Sequence, residues 1–454
     1  MKIPDAYKGK YFYHFTHIEN LKSIVKNGLL STTKKNELGI EHVNLASESI
    51  QLRRSEMDVT CPPNGKIHDY VPFYFTARNP MLLGVLFRKN IDQPLIIYIA
   101  VSIDKLLEKN VIFSDASANT IVPPNFYNDP KYLDKLDWKL INSQSWTTSN
   151  KEELHKRMAE VLILDRMPIE WIDKIVIYND VVKKEIKKNY KKYKLEEPEI
   201  TYPPVNGKYF YFTKKYLFAI PGRERETLVT GPYLLKYYFD ETVKEIIESR
   251  NKSDKKESVF DNIADSLDII SDDFCVIKEL EEIYELETKN EYNAKNVSDH
   301  TLKVVKNLEE NKYYNNLEGS EKNIVKLSAY FHDIGKGPKT KWKNEIQPAY
   351  QDHPADALPM IKRILTKDFE KLSEYEIRKI CLLVAYHDLI GDILERERSE
   401  KEIIDLKIDN LELNMLIAIS LADTSAINND WNISSEMKLP KFVKEVRKKM
   451  SNND

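Results

Sequence analysis

Glycine is scarce in this sequence, with 12 among 454 residues. Neither GxGxxG nor GxxxxGK[ST] occurs, so both common nucleotide-binding loops are excluded. Cysteine is rarer still. Cys61, Cys275 and Cys381 stand apart without CxxC spacing, which argues against a disulfide framework and fits a reducing compartment. No apolar run approaches the roughly 20 residues of a membrane helix. The N-terminus, MKIPDAYKGKYFYHFTH, has no apolar core of signal-peptide length. These absences give the expectation of a soluble, cytoplasmic chain with no membrane attachment. Charge of one sign is lacking too. The formal net charge is -3, so there is no global attraction to nucleic acid, and any such binding must rest on a local patch.

What is present suffices for real cores: 42% of the residues are hydrophobic and 31% charged. The length implies two or three domains. KYFYHFT (10–16), VPFYFTA (71–77), PLIIYIAVS (94–102), AEVLILD (159–165) and IDKIVIYN (172–179) read as strands. HIENLKSIVKNGLLS between them has a helical period closed by Gly28. This is an α+β pattern. Residues 114–150 are rich in Asn, Asp, Ser and Pro, and a polar loop this long inside a strand-rich domain is more often functional than idle.

VVKKEIKKNYKKYK carries two lysine rows, Lys183, Lys187, Lys191 and Lys184, Lys188, Lys192. On a helix they form a basic stripe. Its bland reading is a solvated face. Its sharper reading is a phosphate-backbone contact with Tyr190 and Tyr193 near enough to stack on bases. GKYFYFTKKYLFAI (207–220) suggests an aromatic hairpin, PYLLKYYFDETVKEIIES (232–249) a helix, and RNKSDKKESVFDN (250–262) a charged linker. Helical periodicity dominates from about residue 274. The expected division is a first domain over 1–205, a connector over 206–273 and a second domain over 274–454.

Five of the nine histidines, His14, His17, His42, His68 and His155, lie in the first domain without a metal-ligand spacing such as HExxH. Five ordered blocks there carry a resemblance: YFYHFTHIENLKSIVKNGLLS, SIQLRRSEMDV, IHDYVPFYFTARNPML, the polar loop with LDKLDW, and KRMAEVLI. Together, over about residues 8–180, they resemble the DarT family of DNA ADP-ribosyltransferase toxins. The resemblance implies that NAD is split at nicotinamide and its ADP-ribose passed to a base of DNA, in single-stranded form. It implies a toxin or phage-defence role and a separate macrodomain protein as antitoxin. Glu160 matches the catalytic glutamate, expected to stabilise a cationic ribose and help activate the acceptor. Arg54 matches the essential arginine, expected to clamp phosphate or orient the base. Its neighbour Arg53 takes that role if the register is shifted by one. His14 and Thr16 match the first-strand residues that hold NAD, and Asn20 follows on the first helix. Without the blocks, His14 reads as a core histidine in an aromatic strand. SDASANT lacks the histidine common in this loop among family members, which leaves the acceptor base open. Trp138 and Trp146 are candidates either for stacking on bases or for anchoring the loop.

The remaining four histidines, His300, His332, His353 and His387, each stand beside or near a carboxylate, and a late apolar helix, NMLIAISLADTSAI, carries Asp423. Imidazoles and carboxylates gathered from several helices suit a hard-to-borderline cation. LSAYFHDIGKGP lies at the centre of this set and resembles the HD phosphohydrolase superfamily, over about residues 290–430. The resemblance implies His300, His332, Asp333 and Asp423 around one divalent metal. His353 and His387 complete a second metal or bind phosphate. Lys336 is expected to act in catalysis by neutralising a phosphate oxygen, and Gly335 to let the chain turn away from the ligands. Asp388, in a second HD pair, fits a supporting role. Manganese, iron, magnesium and nickel are all compatible.

The expected fold is thus an α+β ADP-ribosyltransferase fold followed by an all-α HD helical domain. The HD domain is expected to process or regulate the modification. The alternative is an RNA-directed transferase whose HD domain hydrolyses a nucleotide or only senses one.

Overall fold

The computed structural model describes residues 1–46, 48–120, 122–143, 150–203, 210–218, 227–252, 258–289, 296–427 and 429–452. It divides into two compact units, one of residues 1–87 and 91–213, the other of residues 88–90 and 214–454. Trp146, residues 207–209 and 219–220 of the expected hairpin, and residues 253–257 of the expected linker lie outside the described residues.

The first unit is built on an eight-stranded sheet. Its strands are β1 (Tyr11–His17), β2 (Tyr70–Tyr74), β3 (Ile96–Ser102), β4 (Val111–Ser114), β5 (Phe126–Tyr127), β6 (Glu160–Leu164), β7 (Lys174–Val176) and β8 (Glu199–Thr201). Their order across the sheet is β8-β7-β3-β1-β2-β6-β4-β5. All pairings are antiparallel except β7 with β8. Strand β3 reads as an unbroken apolar run because it is central and covered on both faces. Ile96, Ile97, Tyr98, Ile99 and Val101 are fully buried, each aliphatic side chain contributing about 1.5–3 kcal/mol of apolar burial.

Helices α1 (Leu21–Asn27), α2 (Thr32–Glu37) and α3 (Glu48–Glu56) follow β1, and α4 (Asp180–Tyr193) follows β7. Gly28 ends α1 at φ 75°, and a Cβ there would lie 2.7 Å from the Met167 carbonyl oxygen. Ser31 caps α2 by accepting from the Lys34 amide at 3.2 Å. Helix α4 buries Val182, Ile186, Asn189 and Tyr190. This corrects one part of the sharper reading of the lysine stripe, the stacking of Tyr190 on bases. Tyr190 sits in the core with Val182 and Ile186, and Tyr193 is partly buried against the same cluster. The i, i+4 spacing that aligns the lysines also turns Tyr190 inward.

The second unit is helical. Its main elements are α5 (Pro232–Lys252), α6 (Ile263–Asp272), α7 (Val297–Leu308), α8 (Gly319–Phe331), α9 (His353–Lys367), α10 (Glu374–Tyr386), α11 (Leu389–Arg396), α12 (Asn410–Ile427) and α13 (Asn429–Ser451). A two-residue pairing of Glu287–Thr288 with Ile346–Gln347 is its only sheet among the described residues. Residues 232–252, expected in a connector, form α5, which buries Leu235, Phe239, Thr242 and Ile246 and packs on α9 and α10. Of the expected hairpin, Lys214–Phe218 is a helix instead. Lys214 is drawn into this unit by Asp352 at 2.8 Å and Asp356 at 2.9 Å. Among the described residues, no helix is long and apolar enough to cross a membrane.

Candidate active sites

The first site forms where β6 starts. Glu160 lies opposite Tyr74 in the β2–β6 register and is fully buried. Arg54, near the end of α3, meets it in a bidentate pair: Nη1 donates to Oε1 and Nη2 to Oε2, both at 2.8 Å. The Ala118 amide also donates to Oε1, at 2.9 Å. Thus α3, β6 and the 115–120 segment are pinned at one carboxylate. Burial works against the Arg54 charge, but the Glu160 carboxylate overrides it and holds the guanidinium above its ordinary pKa. Burial also pushes the Tyr74 phenol up, helped by the Glu160 charge.

Arg54 borders a cavity that His14, Thr16, Asn20, Lys35, His42 and His68 also line. The His14 ring reaches it from β1, with Nδ1 2.8 Å from the Pro72 carbonyl oxygen. Burial pushes His14 down to about 4, so at neutral pH it is an uncharged imidazole with Nδ1–H donating to Pro72. Asn20 is already engaged. Its Nδ2 donates to Thr16 Oγ1 and to the Val43 carbonyl, both at 3.0 Å, and its Oδ1 accepts from the Val43 amide at 2.8 Å. Asn20 therefore fixes the 43–46 segment over the cavity. Arg53, the register alternative, is not among the lining residues, whereas Arg54 is. Trp138 anchors the loop: its indole donates to the Leu133 carbonyl at 2.7 Å and stacks on Tyr7 with centroids 4.9 Å apart.

The second site gathers residues from five helices and the turns that follow them. His300 comes from α7, His332 and Asp333 follow α8, His353 opens α9, His387 follows α10, and Asp423 sits in α12. His300 Nε2 is 2.9 Å from Asp423 Oδ1 and 3.3 Å from His332 Nε2. His332 Nε2 is 3.4 Å from Asp333 Oδ2, and His353 Nε2 is 3.2 Å from Asp333 Oδ1. His353 and His387 bring their Nε2 atoms within 3.0 Å.

The tautomers decide what this centre wants. His332, His353 and His387 each place Nδ1 on the carbonyl three residues earlier, at 2.7, 2.6 and 2.9 Å. Each Nδ1 therefore carries the proton, and each Nε2 presents a lone pair inward. Lone pairs then face lone pairs and the Asp333 carboxylate, an arrangement that a cation relieves. The fixed Nδ1–H contacts are also the outer support that metal-binding histidines characteristically have. Donor type, convergence and tautomer all fit a divalent cation. His300, His332 and Asp333 form one group of converging ligand atoms, and Asp333, His353 and His387 another. Burial drives His332 to about 4 and His353 well down. Burial opposes the Asp333 charge, yet the imidazoles and Lys336 hold its carboxyl well below the usual range.

Comparison with known proteins then identifies both halves. The model of the family described as ssDNA thymidine ADP-ribosyltransferase, DarT, matches residues 13–211, and that of the HD domain matches residues 297–413. A DNA ADP-ribosyl transferase of Thermus aquaticus is 32% identical over 211 residues, 45% of this chain and 90% of the relative. The chain belongs to the DarT family. Its DarT unit is an ADP-ribosyltransferase domain, here followed by an HD domain. The DNA ADP-ribosyl transferase of Thermus sp. strain 2.9 is 31% identical over 198 residues, 42% of this chain and 91% of that one. A solved structure of Thermus sp. 2.9 DarT in complex with NAD+ covers 46% of this chain and 100% of its own, at 27% identity and a TM-score of 0.39. A DNA ADP-ribosyl transferase–DNA ADP-ribosyl glycohydrolase fusion protein of Thermosipho africanus is 23% identical over 176 residues, 39% of this chain and 44% of that one.

Two expected phosphate contacts sit on carboxylates in the DarT and HD units. Arg54 holds Glu160, and Lys336 donates to Asp333 at 2.5 Å. Gly335 has a different reason from the one expected: a Cβ there would lie 2.0 Å from the His353 carbonyl oxygen and 2.7 Å from the Ala357 amide nitrogen. The glycine lets the HD loop press against the start of α9. Lys89 escaped sequence reasoning. It lines the same cavity as His300, His353 and His387 and pairs with Asp388 and, at 3.5 Å, with Asp392. Arg398 backs the same two carboxylates at 3.0 and 3.2 Å. A partner about 300 residues away leaves no local pattern.

Proposed function

We propose that the DarT unit binds NAD in the cavity beside Arg54 and transfers its ADP-ribose to thymidine in single-stranded DNA. The observation that carries this reading is the buried Arg54–Glu160 pair at the edge of a cavity that, among the described residues, no carboxylate lines. In the reaction the ribose–nicotinamide bond breaks and nicotinamide leaves with the bonding electrons. The acceptor base bonds to the ribose carbon and gives up its proton. Glu160, the carboxylate that Arg54 holds at the edge of the cavity, would stabilise the cationic ribose and take that proton. Arg54 orients it through two hydrogen bonds, and the Ala118 amide ties it to the 115–120 segment. His14, neutral at working pH, supplies an uncharged polar wall. The name of the DarT family, and the DNA ADP-ribosyl transferases that the chain is similar to, support this choice of substrates.

The HD unit is proposed as a metal-dependent phosphohydrolase. His300, His332, Asp333 and Asp423 would hold one divalent cation, and His353 and His387 would join Asp333 around a second position. Bound there, the cation would polarise a phosphate and lower the pKa of a water ligand. Lys336 and Lys89 add positive charge to the same cavity. Its phosphate is proposed to belong to ADP-ribose or to the modified DNA. A separate macrodomain protein as the reversing partner is supported by the Thermosipho relative, whose name joins a transferase to a glycohydrolase.

The test of the first proposal is release of nicotinamide from NAD, followed with and without a thymidine-containing single-stranded oligonucleotide and with RNA of the same sequence. DNA-dependent release that Glu160→Ala removes is the expected result. Release that survives the substitution places the catalytic carboxylate elsewhere. For the HD unit, label should leave purified ADP-ribosylated DNA in a reaction that needs added manganese, His332 and Asp333. Retention of all label removes the idea that this site processes the modification.

A further inference from the structure

Among the described residues, the cavity beside Arg54 is lined by Lys35, Arg54, His14, His42 and His68 among its titratable groups, apart from the Tyr70 phenol, and by no Asp or Glu. The Arg54 charge is already met by Glu160. That leaves Lys35. Its neighbour Lys34 pairs with Glu37 at 2.8 Å on the surface. One residue on, the turn of α2 points Lys35 the other way. There its ammonium meets His42 Nε2 at 3.1 Å.

An ammonium only donates, so His42 Nε2 accepts and its Nδ1 carries the proton. The His42 ring is also hydrogen-bonded to the Ile40 backbone. His42 thus positions Lys35 without neutralising it. Among the described residues no carboxylate lies within ion-pair distance of Lys35, and burial alone lowers its pKa. The same charge weighs on His14 and His68 across the cavity. A partly desolvated cation without a counter-charge, facing neutral imidazoles, is a site for an anion. A lysine serves phosphate as a compact point charge.

We propose that Lys35, positioned by His42, is the diphosphate-binding residue of the DarT cavity. This rests on the reading of that cavity as the NAD site and assigns a contact within it. Adenine is uncharged and the nicotinamide ring of NAD carries a positive charge, whereas the linking diphosphate carries two negative charges for Lys35 to meet.

Calorimetric titration of the full chain with ADP-ribose and, separately, with adenosine tests it. Lys35→Met should weaken ADP-ribose binding about tenfold or more, the loss of one charge-assisted contact. It should change adenosine binding less than about twofold, and Lys35→Arg should retain ADP-ribose binding within about threefold. Adenosine binding also reports that the variant is folded. Equal ADP-ribose binding by wild type and Lys35→Met overturns the assignment and leaves the NAD site standing. Equal loss of both ligands also overturns it, because the effect is then not on the diphosphate. Failure of the wild type to bind ADP-ribose removes the NAD reading and the Lys35 assignment with it.

Discussion

Arg54→Met should strip the buried Glu160 carboxylate of its main partner. Glu160 has no exposed surface, and two of its three side-chain hydrogen bonds come from Arg54. Among the described residues, only the Ala118 amide remains to the carboxylate after the substitution. Breaking a buried ion pair by removing one partner costs about 3–5 kcal/mol. The methionine refills most of the volume, so the charge rather than a cavity sets the effect. Native-state hydrogen exchange at the β6 amides, Val161 to Ile163, should show an opening free energy lower by about that amount. Adding Glu160→Gln should recover a good part of it, since the uncompensated charge is then gone. The single variant should also lose transferase activity and the double should not regain it. Unchanged protection in Arg54→Met, or no recovery in the double variant, would refute the view that this pair is both the anchor of the site and its main electrostatic liability.

His14 gives a pH dependence. Its ordinary value of 6.5 falls to about 4 on burial, so between those values the unfolded chain binds more protons than the folded one. Its contribution is fully present above 6.5 and is lost as pH falls toward 4, up to about 3 kcal/mol. His14→Phe should flatten the pH dependence of exchange at β1 in that window, and an unchanged slope would contradict the burial argument. Removing divalent metal with a chelator should lower the melting transition of the HD unit. At a metal concentration about 100 times Kd the stabilisation is about 2.7 kcal/mol, or about 5–11 °C for a domain of this size. Differential scanning calorimetry of wild type and His332→Ala checks it, with no metal-dependent shift expected in the variant. Gly335→Ala should destabilise the HD unit by at least about 3 kcal/mol, because the added methyl group meets backbone rather than a movable side chain. A melt within about a degree of wild type would contradict that close approach.

Much of this was legible in the sequence for local reasons. Aromatic and β-branched runs gave β1, β2, β3 and β6 because strand signals are short and self-contained. The HD histidines were visible because each lies at or near a helix end beside a carboxylate, and their apolar helices are strongly periodic. Glu160 could be found only through its ordered neighbours, since a glutamate at a strand start has no signature of its own. Other features depend on distance. Lys89 meets Asp388 and Lys214 meets Asp352 and Asp356, and no spacing in the chain announces either pairing. Helix α5 was expected over 232–249, but its place in the second unit was not, because the buried partners of Leu235, Phe239 and Ile246 come from helices more than 100 residues later. Tyr190 was misread because an i, i+4 lysine pattern says which face is wet only when the residues between are examined with equal care. The bidentate grip of Arg54 on Glu160 spans 106 positions, beyond what composition or period conveys.

One chain is proposed to carry a Glu160-dependent DNA ADP-ribosyltransferase and a separate histidine–aspartate site that acts on phosphate. Mass spectrometry of a thymidine-containing single strand, incubated with NAD, manganese and the full chain, reads both activities at once. Wild type should add ADP-ribose to the DNA, and Glu160→Ala should add none. His332→Ala with Asp333→Ala should add it and leave the adduct intact where the wild type trims or removes it. Adduct formation by Glu160→Ala, or identical products from the wild type and the HD variant, would contradict the account.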